Sequence, residues 1–158
     1  MSTRVKNSTT MNKFESADDF TFVIDFVETV DRVFFAQVTV QASDTSKLIT
    51  PTGWTQLFAL QHSTGDASTA CYVKTVSDTE TGSYIFVSGT TRKWVAGLIE
   101  ISDIETSDIV DQFDTNVYLQ QQTPVSPSVL TTAANGLSIT GVGSKNEVTI
   151  TVDANIDA

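Results

Sequence analysis

The residues most able to do chemistry in this chain are few, with one histidine, His62, and one cysteine, Cys71. His62 precedes Ser63 and Asp66, which supplies the residue types of a Ser–His–Asp triad. A triad also needs a positioned nucleophile, often on a Gly-x-Ser-x-Gly turn, and the sequence has no such turn. We therefore predict that His62 is an exposed loop histidine and that the protein is not an enzyme.

Cys71 lies in the strand-like run Ala70–Val73 and cannot form a disulfide within the chain. We expect it to act as a small buried apolar side chain. One cysteine and one histidine, nine residues apart, do not make a zinc site, because such sites draw on several ligands of these types. There is no glycine-rich phosphate loop or dinucleotide fingerprint, so no cofactor is predicted.

Carboxylates are the one plentiful reactive group, and they are densest between residues 100 and 114. That segment carries six acidic residues and no basic one: Glu100, Asp103, Glu105, Asp108, Asp111 and Asp114. Oxygen-rich loops can bind calcium, although no EF-hand spacing is present. A glycosidase pair of carboxylates also stays open from sequence alone. The simplest interpretation is a solvated acidic loop with one helical turn.

Four aromatic residues, Trp54, Tyr72, Tyr84 and Trp94, could form a stacking platform for sugars. Each adjoins a segment with regular alternation of apolar and polar residues. A small β-domain needs such large side chains in its interior. We therefore predict that these rings belong to the core.

Charge excludes two classes of partner. The formal net charge is −10, whereas nucleic acids and anionic membrane surfaces attract clustered lysine and arginine. The first thirteen residues run against this trend, because they contain Arg4, Lys6 and Lys13 and no acidic residue. We predict neither nucleic-acid nor membrane binding, and a weakly basic terminus on an acidic body. No secretory signal or membrane-spanning run is visible, so synthesis in a reducing cytoplasm is expected.

The elements that would position these residues are short β-strands. Strands are expected over 20–27, 32–41, 54–61, 70–76, 83–88 and 93–101, with turns between them, including one at 89–91. The segment 93–101 is apolar on both faces and should be a central strand. Residues 117–119 would add a short strand, and 136–139 with 147–152 would form a C-terminal pair. Regular spacing predicts an all-β, antiparallel sandwich of jelly-roll type over 18–158, with residues 1–17 as an extended arm.

Four motifs on these strands carry a resemblance. They are Pro51-Thr52-Gly53-Trp54, Cys71-Tyr72-Val73-Lys74, Gly82-Ser83-Tyr84-Ile85-Phe86 and Trp94-Val95-Ala96-Gly97. Over about residues 20–140 the sequence resembles a β-sandwich domain of tailed-phage virion structural proteins. The strand after Trp94 departs from that pattern, because it continues into Glu100-Ile101-Ser102-Asp103 where the family usually has a Gly-Val-Asp turn.

The resemblance implies a role in the virion and carries no catalytic residues. Among such roles, a single small domain with an arm is typical of a capsid decoration, or cement, protein on the outer head surface. The implied partners are the major capsid protein and further copies of the chain in a homotrimer. The alternative is a tail, fibre or baseplate component that binds a glycan or receptor.

The arm is the segment expected to contact neighbouring subunits or the capsid. An extended arm can add a strand to an open sheet edge, and several such contacts reinforce each other. The residues predicted for these contacts are Arg4, Val5, Lys6, Met11, Lys13 and Phe14.

Overall fold

The fold was obtained as a computed structural model, which describes the backbone of residues 4–11, 16–24, 32–42, 44–62, 66–76, 82–102, 115, 136–143 and 148–156. Side-chain surroundings are described mostly between residues 32 and 101. The described residues form eight β-strands and no α-helix. Nothing in this part of the chain is a helix that could span a membrane.

The strands follow one another with one short 3-10 turn, Thr45–Lys47, after the third. Their bounds are β1 Arg4–Met11, β2 Ser16–Ile24, β3 Arg32–Val40, β4 Thr55–Gln61, β5 Ser68–Val76, β6 Gly82–Ser102, β7 Gly136–Gly143 and β8 Val148–Ile156. The 3-10 turn begins where the Asp44 carboxylate accepts a hydrogen bond from the Ser46 backbone N–H, at 2.8 Å.

The centre of the fold is a four-stranded antiparallel sheet in the order β4-β5-β3-β6. β1 pairs with the free side of β6, and β2 pairs with its first half. The register is continuous across β3, so that Ala36 lies opposite Tyr72 on one side and opposite Leu98 on the other. The all-β prediction is therefore confirmed in this region.

One face of this sheet carries the main hydrophobic core. Alternate residues of β3 from Phe34 to Val40 point into it, as the alternation predicted. The facing residues on β5 and β6 include Tyr72, Trp94 and Leu98. The segment between β3 and β4 contributes Ala42, Leu48 and Trp54 to the same cluster, so it covers this face.

The opposite face of the sheet is buried as well. Val33, Val95, Ile99 and Ile101 on this face are each at most 3% exposed. A strand buried on both faces reads as a nearly continuous apolar run, which is what residues 94–101 show. The prediction of a central strand there is confirmed, since β6 is paired on both sides over this half.

A tight turn delivers Trp54 to the core. Its backbone N–H donates to the Pro51 carbonyl at 3.2 Å, and Gly53 has φ of +80°. A positive φ at the third position is the signature of a type II turn, which favours glycine there. Trp54 then stacks on Phe34 with a centroid separation of 6.4 Å. The Pro-x-Gly-Trp sequence is thus a device for placing one large ring.

Two strand predictions needed correction. The turn expected at 89–91 is wrong, because β6 runs unbroken from Gly82 to Ser102. Its pairing with β2 jumps from Arg92 to Val87 between two nearby β2 residues, so the turn residues form an irregularity within a long strand. The second correction is the start of β2, which begins at Ser16 and not at residue 20 as predicted.

The C-terminal pair is confirmed as an antiparallel hairpin of β7 and β8. Both strands are longer than the alternation indicated, reaching Gly143 and Ile156. The expected short strand at 117–119 lies outside the described residues, as do the remaining acidic residues from 103 to 114.

Candidate functional site

The residues predicted to contact neighbours divide between described and undescribed parts of the chain. Arg4, Val5, Lys6 and Met11 lie in β1, which pairs with β6 from Arg4 opposite Ser102 to Met11 opposite Ala96. Lys13 and Phe14 lie outside the described residues. The bulge between Val5 and Asn7 makes Lys6 the extra residue of that ladder.

β1 is the last strand on one side of the described sheet. Its outer side therefore presents backbone groups that no described strand pairs with. Arg4 and Lys6 give this edge a positive character on a chain of net charge −10. Charged side chains, lysine above all, are common on sheet edges because they discourage uncontrolled pairing.

β4 is the last strand on the other side, and it differs from β1 in chemistry. Its seven residues, Thr-Gln-Leu-Phe-Ala-Leu-Gln, carry no charge and no proline. The ends are exposed at Thr55, Gln56 and Gln61, while the apolar residues between them are partly exposed. β3 and β5, by contrast, are almost wholly buried. The β4 edge therefore lacks charge and proline, two of the features that block the addition of a further strand.

The hydrogen-bonding direction of β4 follows from one bond at its end. The His62 N–H donates to the Ala67 carbonyl at 2.8 Å, directly beyond the pair Gln61 and Ser68. Bonded and non-bonded pairs alternate in an antiparallel ladder. Leu60 and Phe58 therefore direct their backbone groups at β5, whereas Ala59 and Gln61 direct theirs outward.

At the far end of the core face, a buried ion pair joins β3 to β6. Arg32 Nη1 donates to Glu100 Oε1 at 2.6 Å, and both side chains are at most 1% exposed. The Arg32 guanidinium also lies 5.5 Å from the centre of the Phe34 ring. Glu100 had been expected to open an acidic loop. It instead lies inside β6 at 1% exposure, so it is not available to a solvent-facing calcium site.

His62 is half-buried, so the prediction of an exposed loop histidine is wrong. It follows β4 directly, and its Nε2 is 2.8 Å from Thr69 Oγ1. Thr69 Oγ1 is in turn 2.8 Å from Thr39 Oγ1, which makes a chain of three side chains across two strands. Burial lowers the pKa of His62, and the nearby Asp66 carboxylate acts in the opposite direction. The Ser63 side chain lies outside the described residues.

The aromatic and cysteine predictions are confirmed where they can be read. Trp54, Tyr72 and Trp94 are between 0% and 6% exposed, so they belong to the core, while the side chain of Tyr84 is outside the described set. Cys71 is buried, and burial raises the pKa of its thiol. Burial likewise raises the pKa of the Tyr72 hydroxyl.

Within the described part of the chain, no three metal-ligating side chains come together. The features that do stand out are therefore the two open edges, the buried ion pair and the His62–Thr69–Thr39 chain. The ion pair could not be predicted from sequence patterns, because Arg32 and Glu100 are 68 residues apart and only the β3–β6 register brings them together.

No family model matches this chain, and no curated protein or solved structure matches it either.

Proposed function

We propose that this chain is a structural protein of a phage virion, a decoration or cement subunit that binds the outer head surface. The observation that carries the proposal is the pair of edges beyond which no described strand pairs, with β1 basic on one side and β4 uncharged on the other. The uncharged β4 edge can add a strand from a neighbour through backbone hydrogen bonds, whereas the basic β1 edge can meet an acidic surface through charge. The sequence resemblance to virion proteins points the same way.

The proposed fold is a sandwich of jelly-roll type, and the length of β6 supports it. Ile24 lies opposite Gly82, and Arg32 lies opposite Ser102, at the two ends of β6. A straight strand of that length would extend about 66 Å. The chain between Ile24 and Arg32 can span at most about 30 Å. β6 must therefore bend strongly, as strands do when they pass from one sheet of a sandwich to another.

The irregular pairing near Ser88 and Gly89 is the natural place for this bend. β6 pairs with β3 and β1 only after Lys93, whereas it pairs with β2 from Gly82 to Val87 and again at Arg92 and Lys93. Bulges and glycines are the devices by which strands turn such corners. In this proposal β2 and the first half of β6 belong to the second layer.

The N-terminal residues 1–13 are proposed to supply intersubunit or capsid contacts, with a homotrimer as the assembled form. The positive side chains Arg4, Lys6 and Lys13 would meet an acidic body, either on a neighbouring copy or on the shell. Several such contacts per trimer would hold the subunit on the shell even where each is weak.

The test is a decoration assay with head shells assembled from the major capsid protein encoded in the same genome. Full-length protein and the variant Arg4→Gln/Lys6→Gln/Lys13→Gln are mixed with shells, and the copies bound are counted after sedimentation. The variant leaves the backbone of β1 in place, so it should keep its circular dichroism spectrum, and it should bind markedly fewer copies. Equal decoration by both proteins would overturn the role given to the N-terminal residues.

A parallel binding assay tests the alternative role in a tail, fibre or baseplate. A tail or baseplate protein would bind purified tails and leave heads bare. The burial of Trp54, Tyr72 and Trp94 removes three of the four rings that could have formed a sugar platform, so we do not advance glycan binding as a second proposal.

A further inference from the structure

We propose that β4 is a self-association edge, at which two copies of this chain pair their β4 strands antiparallel about a two-fold axis. The inference concerns β4 and not the basic N-terminal residues. It does not depend on the proposed role in a virion, because it concerns the isolated protein in solution.

Charge is the first argument that the partner at the β4 edge is a second copy of this chain. Two copies of net charge −10 repel each other, so they meet most readily where neither brings a charge. β4 has none over its whole length, so of the two outer strands of the larger described sheet it is the uncharged one, whereas β1 carries Arg4 and Lys6. Like-with-like pairing of β1 would instead bring Arg4 and Lys6 toward their own copies.

Strand direction is the second argument. The sheet order β4-β5-β3-β6-β1 alternates at every step, so the two edge strands run in the same direction. Joining β4 of one copy to β1 of the next, about an axis along the strands, would create a parallel pair. Joining β4 to β4 about a two-fold axis creates an antiparallel pair, like every other pair in the sheet. Antiparallel pairing is also the slightly more stable arrangement.

The third argument is the outward-facing backbone. Ala59 and Gln61 direct their N–H and C=O groups away from β5. In a two-fold antiparallel arrangement, outward groups at these positions meet the outward groups of the second copy, so donors and acceptors match without any change of register in β4. The partly exposed side chains of Phe58 and Leu60 gain cover from the same contact.

The bulge in β4 limits how much of the strand can take part. The register with β5 shifts between Gln56 and Phe58, so only the half from Phe58 to Gln61 is regular. A bulge is itself a device that restricts edge pairing. The expected contact is therefore short and its affinity modest, which suits a contact that a multivalent assembly reinforces.

Gln61 is the position for the test, because its side chain is exposed and its N–H faces outward. Gln61→Pro removes that donor from both copies without touching the β4–β5 ladder. Proline is tolerated on edge strands where the N–H side faces solvent. Gln61→Thr is the matched control, since it keeps the N–H and suits a strand.

Association is measured by sedimentation velocity over a range of concentrations, and folding by circular dichroism. Wild type and Gln61→Thr should associate alike. Gln61→Pro should raise the dissociation constant about tenfold or more, because each dimer loses the backbone N–H of residue 61 in both copies. If N-terminal contacts also hold three copies in a trimer, β4 pairing would join two trimers into one larger particle. Gln61→Pro should then separate that particle into trimers of half its mass.

Gln61→Lys gives an answer even if the proline variant fails to fold. It adds a charge to the edge, and Thr52→Lys adds the same charge at an exposed turn position away from it. The first should weaken association and the second should not. A wild type that stays monomeric at all concentrations would overturn the proposal. So would association that is unchanged by both the proline and the lysine substitutions at position 61.

Discussion

At the scale of single residues, the buried pair of Arg32 and Glu100 is the feature with the largest expected effect on stability. Its 2.6 Å contact lies at the end of the core, with both side chains removed from water. A buried charge left without its partner is costly, whereas apolar replacement of both partners is often neutral or stabilising. The pair is therefore expected to fix the β3–β6 register more than to add net stability.

Glu100→Gln should lower the free energy of unfolding by roughly 3 kcal/mol, because it removes the charged carboxylate from a buried ion pair. The double variant Arg32→Met with Glu100→Leu should recover much of that loss. Urea unfolding of the wild type and the two variants measures this. A double variant less stable than Glu100→Gln alone would contradict the interpretation.

Gly53 carries the second residue-scale prediction. Its φ of +80° is a conformation that residues with a Cβ atom rarely adopt, and an added Cβ would come within 3.2 Å of Lys74 Nζ. Gly53→Ala should therefore lower the free energy of unfolding by about 1 kcal/mol. Thr52→Ala, at the neighbouring exposed turn position, is the control and should change stability little. Thermal unfolding of both variants decides the point.

His62 is expected to make the stability of the fold depend on pH. Burial lowers its pKa in the folded state, so the unfolded chain takes up a proton more readily than the native protein. The stability that neutral His62 contributes is fully present above its ordinary pKa of about 6.5 and is lost as pH falls through the lowered folded pKa. The Thr69 hydroxyl can donate to Nε2 only while that nitrogen is unprotonated.

We expect the wild type to lose more stability than His62→Gln between about pH 7.5 and pH 5.5, because the variant has no group that titrates at this site. Urea unfolding at the two pH values gives the comparison. Identical pH dependence in the two proteins would show that His62 does not titrate as described.

At the scale of elements, alternation predicted the core strands well because burial decides them. β3, β4 and β5 begin and end within two residues of the expected bounds, and the faces of β3 were assigned correctly. The C-terminal hairpin followed from the same signal. Period-two patterning works for β3, β4 and β5 because each of them has residues packed in or against the core.

The failures at this scale have a common physical cause. Gly89 and its threonine neighbours have turn-like composition, yet β6 continues through them because strands lie along both of its halves. Likewise, Glu100 looked like the start of an acidic loop, and only its cross-strand position near Arg32 explains a buried carboxylate. Pairing partners distant in sequence decide both cases, and local composition cannot reveal them.

At the scale of the whole molecule, the candidate functional site was only half foreseen. The basic terminus drew attention to Arg4, Val5, Lys6 and Met11, four of the six residues expected to make contacts, and these form the β1 edge. The β4 edge was missed, because being an edge is a property of strand order and leaves little mark on a strand's own sequence. The absence of charge in residues 55–61 was the one signal that could have found it.

The central claim is that this chain decorates the outside of a phage head, and counting copies on purified particles tests it most directly. Full-length protein is added in excess to separated heads and tails from the same phage, and the bound protein is quantified after sedimentation. We predict saturable binding to heads at a fixed number of copies per shell, with tails left bare. Binding to tails alone, or to neither particle, would contradict the account.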